Sequence, residues 1–284
     1  MLARLQTYGA FVRISHSVFA LPFALVGALL AMRHVGVHWW RVWWIVGCMV
    51  AARSAAMGFN RLVDASYDAR NPRTAMRELP AGRMSVREAW GFVAVASLAF
   101  VACTIPLGRT CWMLSPVALA IVFWYSLAKR VTTYTQAFLG LAMAVAPIGG
   151  WLAAGDVMGA EPLWLGLAIG SWVAGFDILY ACQDLEFDRR EGLRSIPARF
   201  GIARSIAMSR ALHIVTIVAL VQVGRLDVLG PVYFAGVAAV AVLLAWEQSL
   251  VRADDLSQVK RAFDMNGWVG LLYLATTAAA VYWR

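Results

Sequence analysis

The amino-acid sequence predicts an all-α integral membrane protein, with about nine transmembrane helices forming one bundle around a central cavity and two polar cytoplasmic loops as a cap. Three observations carry this expectation. The composition is too apolar for a water-soluble fold, apolar segments recur at membrane-spanning length, and the basic residues gather on one side of those segments.

The chain has 284 residues, of which 61% are hydrophobic and 14% charged, and its mean hydropathy is +0.68. A globule of ordinary proportions cannot hide that much apolar surface from water, whereas a bilayer accepts it. The net charge of +9 could suggest nucleic acid. The basic residues, however, lie between apolar spans with no soluble binding module left over, so the charge reports topology and no nucleic-acid partner is expected.

Windows of roughly twenty residues, the length that crosses a hydrocarbon core as a helix, place spans near 15–32, 39–59, 88–107, 111–128, 134–154 and 163–182. Three more fall near 205–224, 228–248 and 267–283. The first is too long, and too closely followed by others, for a cleaved signal peptide. Residues 1–284 read as a single domain of two pseudo-repeated halves, roughly 10–130 and 131–284.

Threading the spans from an inside N-terminus gathers most of the 25 Lys and Arg residues on one side: Arg4 and Arg13, Arg61 to Arg87, Lys129 and Arg130, Arg189 to Arg210, and Arg252 to Arg261. Arg33, Arg41, Arg109, Arg225 and Arg284 fall on the other. The positive-inside rule then orients the chain N-in and C-out. For a bacterial protein this is the inner membrane, with both long polar loops facing the cytoplasm. The four cysteines show no CxxC spacing and the four histidines no HExxH, so neither disulfide nor zinc is expected.

Two polar stretches break the apolar pattern. In NRLVDASYD, Asn60 to Asp68, two aspartates stand four positions apart and so lie one above the other on a helix. Like charges there repel unless something neutralises them: a structural set of arginines such as Arg61, Arg70 and Arg73, or a bound cation. In DILYACQDLEFD, Asp177, Asp184 and Asp188 fall within about 40° of one another on a continuous helix. Each D-x-x-x-D is followed by a basic loop, through Arg70, Arg73, Arg77 and Arg83 in the first case and Arg189, Arg190, Arg194 and Arg199 in the second. This echo suggests two halves facing one cavity.

Hard divalent cations such as Mg²⁺ are commonly held by a few carboxylates together with substrate phosphates. A diphosphate between two such clusters would be gripped through metal, with guanidinium groups adding charge-assisted hydrogen bonds. Asp177 and Arg53 lie within apolar spans, where charge is costly, and both point to a polar cavity. A third polar insertion, YSLAKRVTTYTQ, would bring Tyr125, Lys129 and Arg130 to the same anion site if the fourth helix packs beside the second.

These residues together resemble the UbiA superfamily of intramembrane prenyltransferases. The likeness covers nearly the whole chain, in the number of spans, the two acidic segments and the order between them. The family's first motif, N-D-x-x-D-x-x-x-D, is matched by Asn60, Asp64 and Asp68, with Arg61 where many members have aspartate. The second is matched by Asp177, Tyr180, Asp184 and Asp188. Arg53, the stretch from Tyr125 to Arg130, Gln136 and Gly140 also resemble family positions. The opening RISHSVFALPFA and the segment FNRLVDASYDARNPRTAMRELPAGR look most like the bacterial 4-hydroxybenzoate polyprenyltransferase branch.

The resemblance implies transfer of a polyprenyl group from an allylic polyprenyl diphosphate to an aromatic acceptor, 4-hydroxybenzoate, ortho to its phenol in quinone biosynthesis. An acceptor of a menaquinone route is the alternative. It implies Mg²⁺ as cofactor, held by Asn60, Asp64, Asp68, Asp184 and Asp188, with Arg73, Arg77, Lys129 and Arg194 on the diphosphate. Arg53, Arg130 and Tyr125 are then the acceptor-binding residues, and Asp177, Asp184 and Asp64 the catalytic carboxylates. The bilayer itself is a partner, supplying the lipophilic donor.

Two other classes use intramembrane charge. An ion-coupled transporter would place it near the midplane on broken helices, whereas here it gathers at the cytoplasmic ends of the second and sixth spans. A CDP-alcohol phosphotransferase would carry a D-G-x-x-A-R signature, which is not found.

Overall fold

The structure, a computed structural model, describes residues 8, 9, 11, 20–72, 74–155 and 157–283. Arg73, Arg4, Arg13, Arg284 and most of RISHSVFALPFA therefore lie outside the described residues. The described chain is helical almost throughout: α1 (Leu21–Val35), α2 (Trp39–Arg70), α3 (Val86–Thr104), α4 (Arg109–Val131), α5 (Thr135–Gly155) and α6 (Ala160–Ala181). Two short helices follow, α7 (Leu185–Arg190) and α8 (Ile196–Phe200), then α9 (Ile202–Leu226), α10 (Pro231–Leu250) and α11 (Val259–Tyr282).

Local chemistry sets the boundaries. Pro22 and Pro231 sit in the first turns of α1 and α10, where a missing N–H costs nothing. At the start of α3, the Ser85 hydroxyl accepts from the Glu88 N–H while Glu88 Oε2 accepts from the Ser85 N–H at 3.0 Å, a reciprocal capping box. The most consequential boundary is the end of α2. Its apolar run stops near residue 59, yet the helix continues through the acidic motif to Arg70, because Asn60 to Arg70 contains neither glycine nor proline. The stop comes at Asn71, whose backbone is extended ahead of Pro72. At 32 residues, α2 is about 48 Å long against about 30 Å of hydrocarbon, so its acidic end reaches beyond the apolar layer.

Among the described residues seven helices are long and apolar enough to cross a membrane, and the chain is a multi-pass membrane protein. The remaining two expected spans correspond to α1, which has 15 described residues, and to α11, whose first turns carry Lys260, Arg261 and Asp264. All nine expected spans thus have a helical counterpart. The two stretches read as loops are more ordered than expected: residues 61–70 belong to α2, and 185–200 holds α7 and α8.

One apolar core runs from Ala20 to Ala280 and draws on α1 to α6 and α9 to α11. α1 packs on α5, α5 on α6, and α6 on α9, at crossings made of small residues. A Cβ at Gly27 would overlap the Pro147 carbonyl, and one at Gly150 the Ala24 carbonyl, so α1 and α5 meet backbone to backbone. α2 packs against α3 and α4, bringing the start of the polar insertion at the end of α4 beside the acidic end of α2.

Candidate active site

The first acidic pair is built on α2 and neutralised from elsewhere. Asp64 and Asp68 are both buried. Arg130, at the end of α4, donates from Nη2 to Asp64 Oδ1 at 2.7 Å and to the Val63 carbonyl at 2.6 Å. It also bonds the Ser126 carbonyl at 3.3 Å and lies over the Tyr67 ring. Asn60 donates to Asp64 Oδ2 at 3.2 Å. Arg77, from the turns after α2, donates through Nη1 to both oxygens of Asp68, at 2.8 and 2.7 Å. Among the described residues the counter-ions are therefore Arg130 and Arg77, in place of the sequence neighbours Arg61 and Arg70. Arg70 instead pairs with Glu191 at 3.0 Å.

The second acidic set departs from one continuous stripe. A 3₁₀ turn at Cys182–Asp184 separates α6 from α7, advancing the backbone by three residues per turn where 3.6 were expected. Asp177, Asp184 and Asp188 nevertheless line the same cavity as Asn60, Asp64 and Asp68. That cavity is polar, has a volume of about 280 Å³, and also receives Arg77, Lys129, Arg194, Tyr125 and Tyr180. Lys129 lines the chamber within electrostatic reach of both Asp64 and Asp177. Asp177 makes no hydrogen bond or ion pair among the described residues.

A second cavity, of about 360 Å³, is almost wholly apolar and is lined mainly by α2, α4 and α5, with Met49, Met57 and Leu119 among its side chains and Phe100 of α3 beside them. Tyr125 and Leu139 line both cavities, so the polar and apolar chambers adjoin at these two side chains. Arg53 lines the apolar chamber, close enough to Tyr125 for their charges to couple, and its Nε is buried without a hydrogen-bond partner.

Of the residues singled out from sequence, Asn60, Asp64, Asp68, Arg77, Tyr125, Lys129, Asp177, Asp184, Asp188 and Arg194 meet around the polar chamber. Arg53 belongs to the apolar chamber and Arg130 to the lining of neither, since it stands behind Asp64. Arg73 lies outside the described residues. Arg194 is tied down as well as cavity-facing: its guanidinium donates to the Val131 carbonyl, and its backbone N–H to the Lys129 carbonyl at 2.8 Å. Gln136 accepts from the Ile196 N–H at 3.3 Å, anchoring α8 to the start of α5. Sequence reasoning passed over Tyr67, Thr74, Ser126 and Ser195, which also line the chamber. Tyr67 could have been found from its place on the acidic face, one helical turn after Asp64.

The donor set suits a hard cation. The polar chamber offers carboxylate, amide and hydroxyl oxygens and, among the described residues, no histidine or cysteine. No three such groups converge into a complete cage among the described residues. A hard divalent cation in this chamber would need ligands from elsewhere, as when one or two carboxylates hold it together with phosphate oxygens.

A helical membrane bundle with a charged chamber beside an apolar one has the chemistry to take an amphiphile with an anionic head and a hydrocarbon tail. A family model, the UbiA prenyltransferase family, matches residues 20–270, and the chain belongs to that family. The 4-hydroxybenzoate octaprenyltransferase of Pseudomonas aeruginosa (strain LESB58) is 32% identical over 232 residues, covering 81% of this chain and 78% of that one. The apo structure of a UbiA homolog from Aeropyrum pernix K1 superposes with a TM-score of 0.85 at 34% identity, over 93% of this chain and 97% of that one. A UbiA homolog from Archaeoglobus fulgidus, bound to GPP and Mg²⁺, shares the fold at a TM-score of 0.70 and 19% identity, over 97% and 99% of the two chains.

Proposed function

We propose that this protein transfers a polyprenyl group from an allylic polyprenyl diphosphate to 4-hydroxybenzoate, ortho to the phenol, at the cytoplasmic face of a bacterial inner membrane. The observation that carries this reading is the junction of the two chambers at Tyr125 and Leu139. It fits one molecule with a charged head among the aspartates and a hydrocarbon tail between α2, α4 and α5. The relative named as a 4-hydroxybenzoate octaprenyltransferase supports the choice of acceptor.

In this mechanism Asn60, Asp64, Asp68, Asp184 and Asp188 hold Mg²⁺, and Arg77, Lys129 and Arg194 face the diphosphate. Magnesium, when bound, neutralises the diphosphate and stabilises charge growing on the leaving oxygen. The allylic C–O bond breaks with its electron pair leaving on the diphosphate, and the apolar walls keep water from the resulting carbocation. The ring carbon ortho to the phenol forms the new C–C bond. The ring proton passes to the Asp177 carboxylate, which is unpaired and lines the chamber. Arg53 supplies a buried cation for the acceptor's carboxylate, and Tyr125 borders both reactants. Arg130 acts through Asp64, which it positions, and not on the acceptor.

The test is prenyl transfer by purified protein from radiolabelled polyprenyl diphosphate to phenols with and without a carboxylate, in Mg²⁺ or EDTA. Transfer should need the metal and favour 4-hydroxybenzoate. Arg53→Ala should weaken use of that acceptor by ~2 kcal/mol, the scale for leaving a buried charge unpaired, with a smaller effect on donor saturation. Equal use of carboxylated and uncarboxylated phenols by the wild type would remove the benzoate reading.

A further inference from the structure

The two arginines that neutralise the first acidic pair are held in different ways. Arg130 is fixed by the Val63 and Ser126 carbonyls and the Tyr67 ring as well as by Asp64. Among the described residues the Arg77 side chain makes its hydrogen bonds to Asp68 alone, and a single nitrogen, Nη1, lies 2.8 and 2.7 Å from the two carboxylate oxygens. That is the position a bidentately bound cation takes on a carboxylate. Arg77 also lines the polar chamber, on turns rather than on a helix.

We propose that Arg77 is a displaceable internal counter-ion, exchanged from Asp68 to the incoming diphosphate, so that metal and diphosphate enter the site as one unit. The proposal rests on the metal–diphosphate reading above and adds a binding order to it. A metal ion arriving alone must evict Arg77 from Asp68 and take from that guanidinium the carboxylate that receives its hydrogen bonds. A metal arriving with diphosphate gives the evicted arginine a new anion, with two or more charge-assisted hydrogen bonds available to its planar fork. The consequence is a positive coupling between metal and diphosphate, reciprocal by linkage and carried by Arg77. Arg130, with several further partners, stays on Asp64 and carries no such coupling.

The experiment measures Mn²⁺ binding to the purified full chain by electron paramagnetic resonance, without donor and with a non-cleavable allylic thiolodiphosphate. Arg77→Gln should bind Mn²⁺ about tenfold or more tightly than wild type when no diphosphate is present, the scale of coupling between close charge pairs. The enhancement of Mn²⁺ binding by the thiolodiphosphate should shrink by a similar factor. Arg77→Lys, which keeps the charge, should stay near wild type. So should Arg83→Gln, since Arg83 faces Glu78 at 3.8 Å and does not line the chamber. Equal donor-free Mn²⁺ affinity in wild type and Arg77→Gln overturns the counter-ion role and leaves the metal–diphosphate reading standing. Lysine behaving like glutamine overturns it too, because charge would then not be the cause. Failure of wild type to bind Mn²⁺ even with the thiolodiphosphate overturns both.

Discussion

The two acidic segments look like copies in sequence but are built differently. The first lies on one unbroken helix, and each of its aspartates has an arginine from outside that helix, Arg130 at the end of α4 for Asp64 and Arg77 in the turns just after α2 for Asp68. The second is divided by a 3₁₀ turn, and its deepest member, Asp177, has no ion pair among the described residues and meets Lys129 only across space. The difference teaches that repeated spacing delivers carboxylates to a common chamber without giving them a common environment. A carboxylate whose counter-ion can leave, as Asp68 with Arg77, suits the holding of one cation in exchange for another. An unpaired one suits the taking of a proton.

Activity offers the strongest way to break this comparison. Asp68→Asn and Asp184→Asn each preserve shape while deleting a hard anionic ligand, and each is expected to lower kcat/KM by about 10²-fold or more, as losing one electrostatic stabiliser of a transition state does. Steady-state kinetics on both variants would check it. Comparable losses make the two segments equal partners in holding the diphosphate. A near wild-type Asp184→Asn would leave the first segment acting alone.

Stability should separate the segments in the opposite sense. Asp64→Asn removes the charge that Arg130 faces at 2.7 Å in a mostly buried setting. It should destabilise the protein by about 2 kcal/mol, less than a fully buried broken pair. Asp177→Asn removes a carboxylate that has no such partner, and should cost under about 0.5 kcal/mol or stabilise slightly. Unfolding of the two variants in one detergent, compared with wild type, reads the contrast directly. Equal destabilisation would mean that Asp177 has a structural partner after all.

How much of this was legible beforehand follows from the range of each interaction. The spans were visible because burial in lipid needs about twenty apolar residues in a row. The carboxylates were visible because helical periodicity puts positions four apart on one face. The end of α2 was missed, since hydropathy falls at residue 59 while the helix runs on to Asn71. The arginine partners were also missed. Arg130 is 66 positions from Asp64, and only the packing of α4 beside α2 selects it over Arg61 or Arg70. Arg53 was expected in the polar cavity with the aspartates, but it lines the apolar chamber, and that there are two chambers depends on the shapes of α4 and α5 together.

The smallest effect concerns the link between the tips of the two segments. Arg70 at the end of α2 meets Glu191, just past α7, at 3.0 Å, with Arg190 a further 3.7 Å from the same carboxylate. Arg70 also lies over the Tyr67 ring, and its side chain is 55% exposed. Exposed pairs contribute about 0–1 kcal/mol and are screened by salt. Glu191→Ala should therefore change stability by under about 0.5 kcal/mol, and donor KM by less than roughly threefold. The exchange Arg70→Glu with Glu191→Arg should restore whatever is lost, and the loss should vanish at high salt. The measurement is donor saturation in low and high salt for the single and exchanged variants. A tenfold change that survives high salt would show that this contact keeps the two acidic segments in register. The expected small, screened change would leave that work to the apolar packing of α4, α5 and α6 behind them.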